Sequence, residues 1–191
     1  MEWFDLINET LQAFLIVPLY SILNKMFKHD ANNFADNTFK TGLIAFAVYT
    51  LFSIGVLIYG SVLIKAMNPD QIDIVAVNRY LQLETLAFMA GIVISFVNVV
   101  FVVVGKDRNV YLFLAVKTGL LLITDLLLIP NLGINGAAAS NIIVNTVLGA
   151  VSIAMLCMQR YMKPSRFQKG DLQTLKEWCR IGTIPSMSAS R

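Results

Sequence analysis

The chain has 191 residues, of which 57% are apolar and 14% charged, with a formal net charge of +3. Soluble domains carry about 45–50% apolar and about 25% charged residues, so an ordinary water-soluble fold is excluded and a polytopic helical membrane protein is expected. The basic residues lie in loops, where membrane orientation explains them, and they make no case for a nucleic-acid partner.

Long uncharged stretches divide the chain into five spans, each near the roughly 20 residues a bilayer core requires. The first runs over about 3–23, between acidic Glu2 and Asp5 and basic Lys25 and Lys28. Pro18 is expected to kink it, and Glu9 reads as an interfacial residue. The acidic start and the lack of a small-residue cleavage site argue against a cleavable signal peptide. Residues 28–40 are polar and read as a loop with a helix start near its end. The second span covers about 41–64, with Gly55 and Gly60 allowing close helix approach. Asn68-Pro69-Asp70 marks a turn, and 72–80 reads as an amphipathic lead-in to the third span, about 80–104. That span holds Glu84, expected at the interface, and Asn98, deep within it. Gly91 and Ser95 form a small-xxx-small packing pair. A charged turn, 105–109, leads to the fourth span, about 110–129. The Pro130–Gly133 turn leads to the fifth, about 134–158. Residues 1–159 therefore form a five-span bundle. Residues 160–191 form a basic linker and an amphipathic helix over 171–181, with Leu172, Leu175, Trp178 and Cys179 on one face.

The connections after spans one and three and the tail after span five carry Lys25, Lys28, Lys40, Lys106, Arg108, Arg160, Lys163, Arg166 and Lys169. The other side has Lys65 and Arg79. The positive-inside rule then places the tail in the cytoplasm and the N-terminus outside, the arrangement left when an earlier span is missing.

The hairpin over 110–145 carries the chemistry. Asp125 lies inside the fourth span, and an ionisable group in lipid is a functional candidate. Counted from the turn at ~1.5 Å per residue, Asp125 and Asn141 lie at similar depth, roughly 7 and 10 Å in, and can face each other. Ala138, Asn141, Asn145, Gly149 and Ser152 share one small, polar helical stripe, expected to face the bundle interior. A carboxylate beside amide oxygens suits a proton or a monovalent cation such as sodium, with Asp125 and Asn141 as its ligands. Asn98, Thr124 and Asn145 are candidates for lining a cavity. A purely structural role for Asp125, bonded to Asn141 or to backbone, fits the periodicity equally well. Lys117 lies two turns from Asp125, roughly 12 Å, too far for an ion pair within the helix, and snorkelling toward the cytoplasm explains it. Cys157, Cys179 and His29 give no metal spacing or disulfide framework. No Ser/His/Asp set or phosphate-cradling glycine loop is present, so neither an enzyme nor a cofactor is expected.

Leu132-Gly-Ile-Asn-Gly-Ala-Ala-Ala-Ser-Asn141, preceded by Thr124-Asp-Leu-Leu-Leu-Ile129, resembles the fifth-to-sixth helix hairpin of the multidrug and toxic compound extrusion (MATE) family. Tyr80-Leu-Gln-Leu-Glu84 is similar to the opening of that family's fourth helix, and Gly105-Lys-Asp-Arg108 to the turn that follows it. Residues 172–187, with Arg180-Ile-Gly-Thr-Ile-Pro185, resemble the linker helix and the start of the seventh helix. The resemblance implies helices two to six of a twelve-helix antiporter in a cell membrane, with the first helix and the second lobe absent. Such a transporter exports drugs or other organic compounds in exchange for Na+ or H+. It also implies a coupling-cation role for Asp125, with Asn141 close to a threonine of one branch. That branch has an asparagine one turn before the aspartate, where this chain has Leu121. Two other readings are a free-standing membrane assembly protein, paired through the Gly91/Ser95 and Gly136/Ser140 faces, and a lipid-linked oligosaccharide flippase of related architecture.

Overall fold

Backbone amides that enter lipid have to bond within their own segment, and long uncharged stretches meet that demand as helices. The computed structural model describes residues 2–29, 32–67 and 74–165. Every regular element among them is helical: α1 (Glu2–His29), α2 (Phe34–Met67), α3 (Ile74–Val103), α4 (Asp107–Leu132) and α5 (Ile134–Met158). Four stretches, Phe34–Val62, Val75–Val103, Asp107–Leu132 and Ile134–Met158, are long and apolar enough to cross a membrane. The remaining expected span falls on α1, which carries Glu9, Gln12 and Pro18. The amphipathic helix expected over 171–181 lies outside the described residues.

The helix ends differ from expectation for local reasons. α2 starts two turns early, at Phe34. Asp36 sits in its first turn, where the helix dipole favours a negative charge. Phe34 is buried, its ring edge-on to Phe27 at 5.1 Å, an aromatic geometry that adds to simple burial. α4 runs through Pro130 to Leu132, leaving Gly133 alone as the turn, at φ +58°. The Gly133 N–H donates to the Ile129 carbonyl (2.8 Å) and the Asn131 amide to the Leu127 carbonyl (3.1 Å), so the last turn keeps its bonds despite the proline. α3 ends in a Schellman cap: Gly105 has φ +71°, Lys106 N–H donates to Phe101 O and Gly105 N–H to Val102 O. α5 ends the same way, with Arg160 in the left-handed conformation.

The chain divides into two compact units, Met1–Ala45 with Ser95–Asp107 and Ile153–Arg191, and Phe46–Ile94 with Arg108–Ser152. The first unit gathers the α1–α2 connection, the α3–α4 turn and the chain after α5. Lys106 Nζ donates to Gln159 Oε1 at 2.8 Å and lies 4.9 Å from the centroid of the Tyr161 ring, while the Lys163 N–H donates to the Ala35 carbonyl. Lys25, Lys28, Arg160 and Lys163 are exposed. Lys25, Lys28, Lys40, Lys106, Arg160 and Lys163 therefore share one unit, and Arg108 falls in the second.

The second unit is built on glycine contacts. α2 and α3 meet where a Cβ on Gly60 would lie 2.9 Å from Asn78 Oδ1 and 3.1 Å from Leu81. α3 and α5 run parallel: Asn145 packs on Gly91, and Gly149 on Ala90 and Val93. α4 and α5 close at Gly136, where a Cβ would lie 2.6 Å from the Leu128 carbonyl oxygen. Backbone cannot yield as a side-chain tip can. Gly136→Ala is therefore expected to lower the melting temperature in detergent, with a loss of about 1–3 kcal/mol as in overpacked cores. Gly55→Ala, with nothing within 4 Å, is expected to leave it unchanged or raise it. Equal melting temperatures for the two variants would remove the close contact.

Candidate functional site

α4 has one packed side. Its less exposed positions, Phe113, Lys117, Leu121, Thr124, Asp125 and Leu128, repeat every three or four residues and so line one face. The opposite face is apolar and open, with Leu122 and Leu126 63% and 70% exposed. Asp125 is therefore on the packed face. Its Oδ1 is buried and has no hydrogen-bond partner. Thr124 donates its hydroxyl to the Leu120 carbonyl at 2.8 Å, with Leu121 O a further 3.1 Å acceptor, so that proton is committed to the helix. Lys117 is half-buried on the same face.

The Gly136–Leu128 contact fixes what lies opposite Asp125. Asp125 is three residues before Leu128, and Ser140 four after Gly136. Measured along their own helices, those are roughly 4.5 and 6 Å from that contact. Ser140 is turned only about 40° from Gly136, toward α4. It is fully buried, and its Oγ has no partner. Asn141 is about 140° around the helix from Gly136, and Asn145 about 180°. Both therefore belong to the opposite side of α5. There the Asn145 Nδ2 donates to the Ala87 carbonyl of α3 at 3.0 Å, and its Oδ1 is buried without a partner.

The residues named from the sequence thus separate. Asp125 and Thr124 lie on the packed face of α4, and Ser140 completes that group. Asn141 and Asn145 lie on the α3 side of α5, with Ala138, Gly149 and Ser152 buried along α5. Asn98 lies in the first unit, its Oδ1 buried without a partner. Ser140 was missed because depth was counted from the turn. The signal available was its spacing of four from Gly136. Glu84 is 8% exposed and belongs to the second unit.

Chemically, the Asp125–Ser140 group offers a carboxylate oxygen and a hydroxyl, both buried and unpartnered. An orphaned buried polar group costs about 1–3 kcal/mol. No three His, Cys, Asp or Glu side chains among the described residues come together as a metal site. The arrangement defines a bundle of membrane-length helices with a carboxylate on an inner face. No family model matches the sequence, and neither a curated protein nor a solved structure matches it.

The facing relation is checked by cysteine pairs in a Cys157→Ser, Cys179→Ser background. Asp125→Cys with Ser140→Cys is expected to close a disulfide under mild oxidation, read as lost maleimide labelling. Asp125→Cys with Asn145→Cys is expected to stay reduced, because disulfides need Cα atoms within about 7 Å. The reverse pattern would reassign the faces of α5.

Proposed function

We propose that this chain is the N-terminal-lobe portion of a MATE-like secondary antiporter, exporting organic compounds in exchange for Na+ or H+. The observation that carries the reading is the unpartnered Asp125 oxygen on the packed face of α4, with the unpartnered Ser140 hydroxyl on the Gly136 side of α5. A carboxylate held that way inside a helix bundle suits a coupling cation or proton, and rocking of two lobes about a midplane cavity would connect its occupancy to substrate. The order of the sequence resemblances supports the same assignment. In this reading α1 is a fifth span, the N-terminus is outside and the basic tail is cytoplasmic. The half-buried position of Lys117 on the same face favours a second reading, a flippase for an anionic lipid-linked oligosaccharide.

In the complete transporter, Asp125→Asn is expected to abolish cation-coupled efflux of an organic dye while the protein still reaches the membrane. Unchanged coupled efflux would remove Asp125 from the mechanism. For the flippase reading, Lys117→Ala is the sensitive variant and dye efflux is unaffected by either change. Orientation is read separately: a green fluorescent protein fused behind the tail is expected to fluoresce and alkaline phosphatase at the same place to be inactive. Active phosphatase there would invert the topology.

A further inference from the structure

The side of α5 that faces α3 holds a polar group which the Asp125 reading does not use. α3 and α5 run parallel in the second unit, in contact at Ala87, Gly91 and Asn145. Glu84 is three residues before Ala87 and seven before Gly91, so it lies within about 20° of Gly91 on α3. Asn141 is four residues before Asn145, within about 40° of it on α5. Stepping back along parallel helices by roughly 4.5 and 6 Å brings Glu84 and Asn141 to one level on facing sides. Glu84 is 8% exposed and Asn145 5% exposed. The Asn145 amide is held by its Nδ2 bond to Ala87 O, which leaves Oδ1 fixed in the seam, buried and unpartnered. Asn141 is only partly enclosed.

We infer that Glu84, Asn141 and the Asn145 carboxamide oxygen form a second site, for a small hard monovalent cation, on the opposite side of α5 from Asp125. The charge count favours a monovalent ion: one carboxylate with neutral amide oxygens balances a single positive charge, while divalent ions draw more carboxylates. Among the described residues of the second unit, charge is sparse. α5 carries none; the α2 part of the unit has only exposed Lys65, and α3 only exposed Arg79. Lys117 and Asp125 belong to α4, on the far side of α5. The phenols of the unit are Tyr49 and Tyr59 of α2, Tyr80 of α3 and Tyr111 of α4. The site does not depend on a transport role, since a cation would bind there in a membrane protein of any function.

The test is the melting temperature of the full chain in detergent micelles, with Na+ replacing choline at constant ionic strength and pH. Na+ is expected to raise it. Glu84→Gln and Asn141→Leu are each expected to abolish that rise, and Asp125→Asn to retain it. Should Glu84→Gln fail to fold in choline, judged by helix content and gel filtration, the partly exposed Asn141→Leu carries the test. A Na+-dependent rise that survives Asn141→Leu and any folded Glu84→Gln overturns the site, as does no rise in the wild type. A rise lost only in Asp125→Asn moves the cation to the α4 side and also overturns it. A shift with pH alone, lost in Glu84→Gln, makes the group a proton acceptor and overturns the cation assignment.

Discussion

The closure of α4 on α5 at Gly136 is the constraint on which the candidate site depends. A glycine there lets the two backbones touch at Leu128 and Ile129, the kind of approach that drives helix association where lipid supplies no hydrophobic force. Because the contact is backbone to backbone, it fixes both register and rotation. Rotation leaves Ser140 on the Gly136 side of α5 and the two asparagines on the other. A side-chain contact at the same place would have left both free to drift by a residue.

α5 can serve two neighbours because its small residues occur on two sides. Gly136 and Ser140 admit α4. Gly149 and the Asn145 amide admit α3, and Ala138 and Ser152 are fully buried. The helix has no charge of its own. Its polar atoms are hydroxyl and amide oxygens that bind weakly to water-free surroundings unless something with a positive charge or a proton is present. α4, which carries Asp125, and α3, which carries Glu84, therefore approach the same rod from different sides.

The helices were legible because lipid-compatible stretches leave the backbone no alternative, and the uncharged runs of α2, α3, α4 and α5 exceed what a bilayer needs. Their ends were less legible. Pro130 looks like a stop, yet the Asn131 amide and the Gly133 N–H hold the last turn together around it. Phe34 looks like loop, yet Phe27 gives it a ring to pack against. The polar stripe Asn141–Asn145–Gly149–Ser152 was legible as a face. Which neighbour it faces was not, since periodicity gives an angle around one helix and says nothing about the next. That information came from the two glycine contacts, at Gly91 and Gly136, and it puts Asn145 on the α3 side of α5.

Where the polar atoms point separates scaffolding from chemistry. Ser21, Thr118 and Asn131 are exposed side chains, and each donates to a carbonyl one turn back on its own helix. A polar group facing hydrocarbon has no better partner, and satisfied this way it adds little cost. Asp125, Ser140 and Asn145 point inward and each keeps a buried oxygen without a donor. Buried Thr85 and Ser152 pair in the same way with carbonyls of their own helices, so burial alone does not leave an oxygen open.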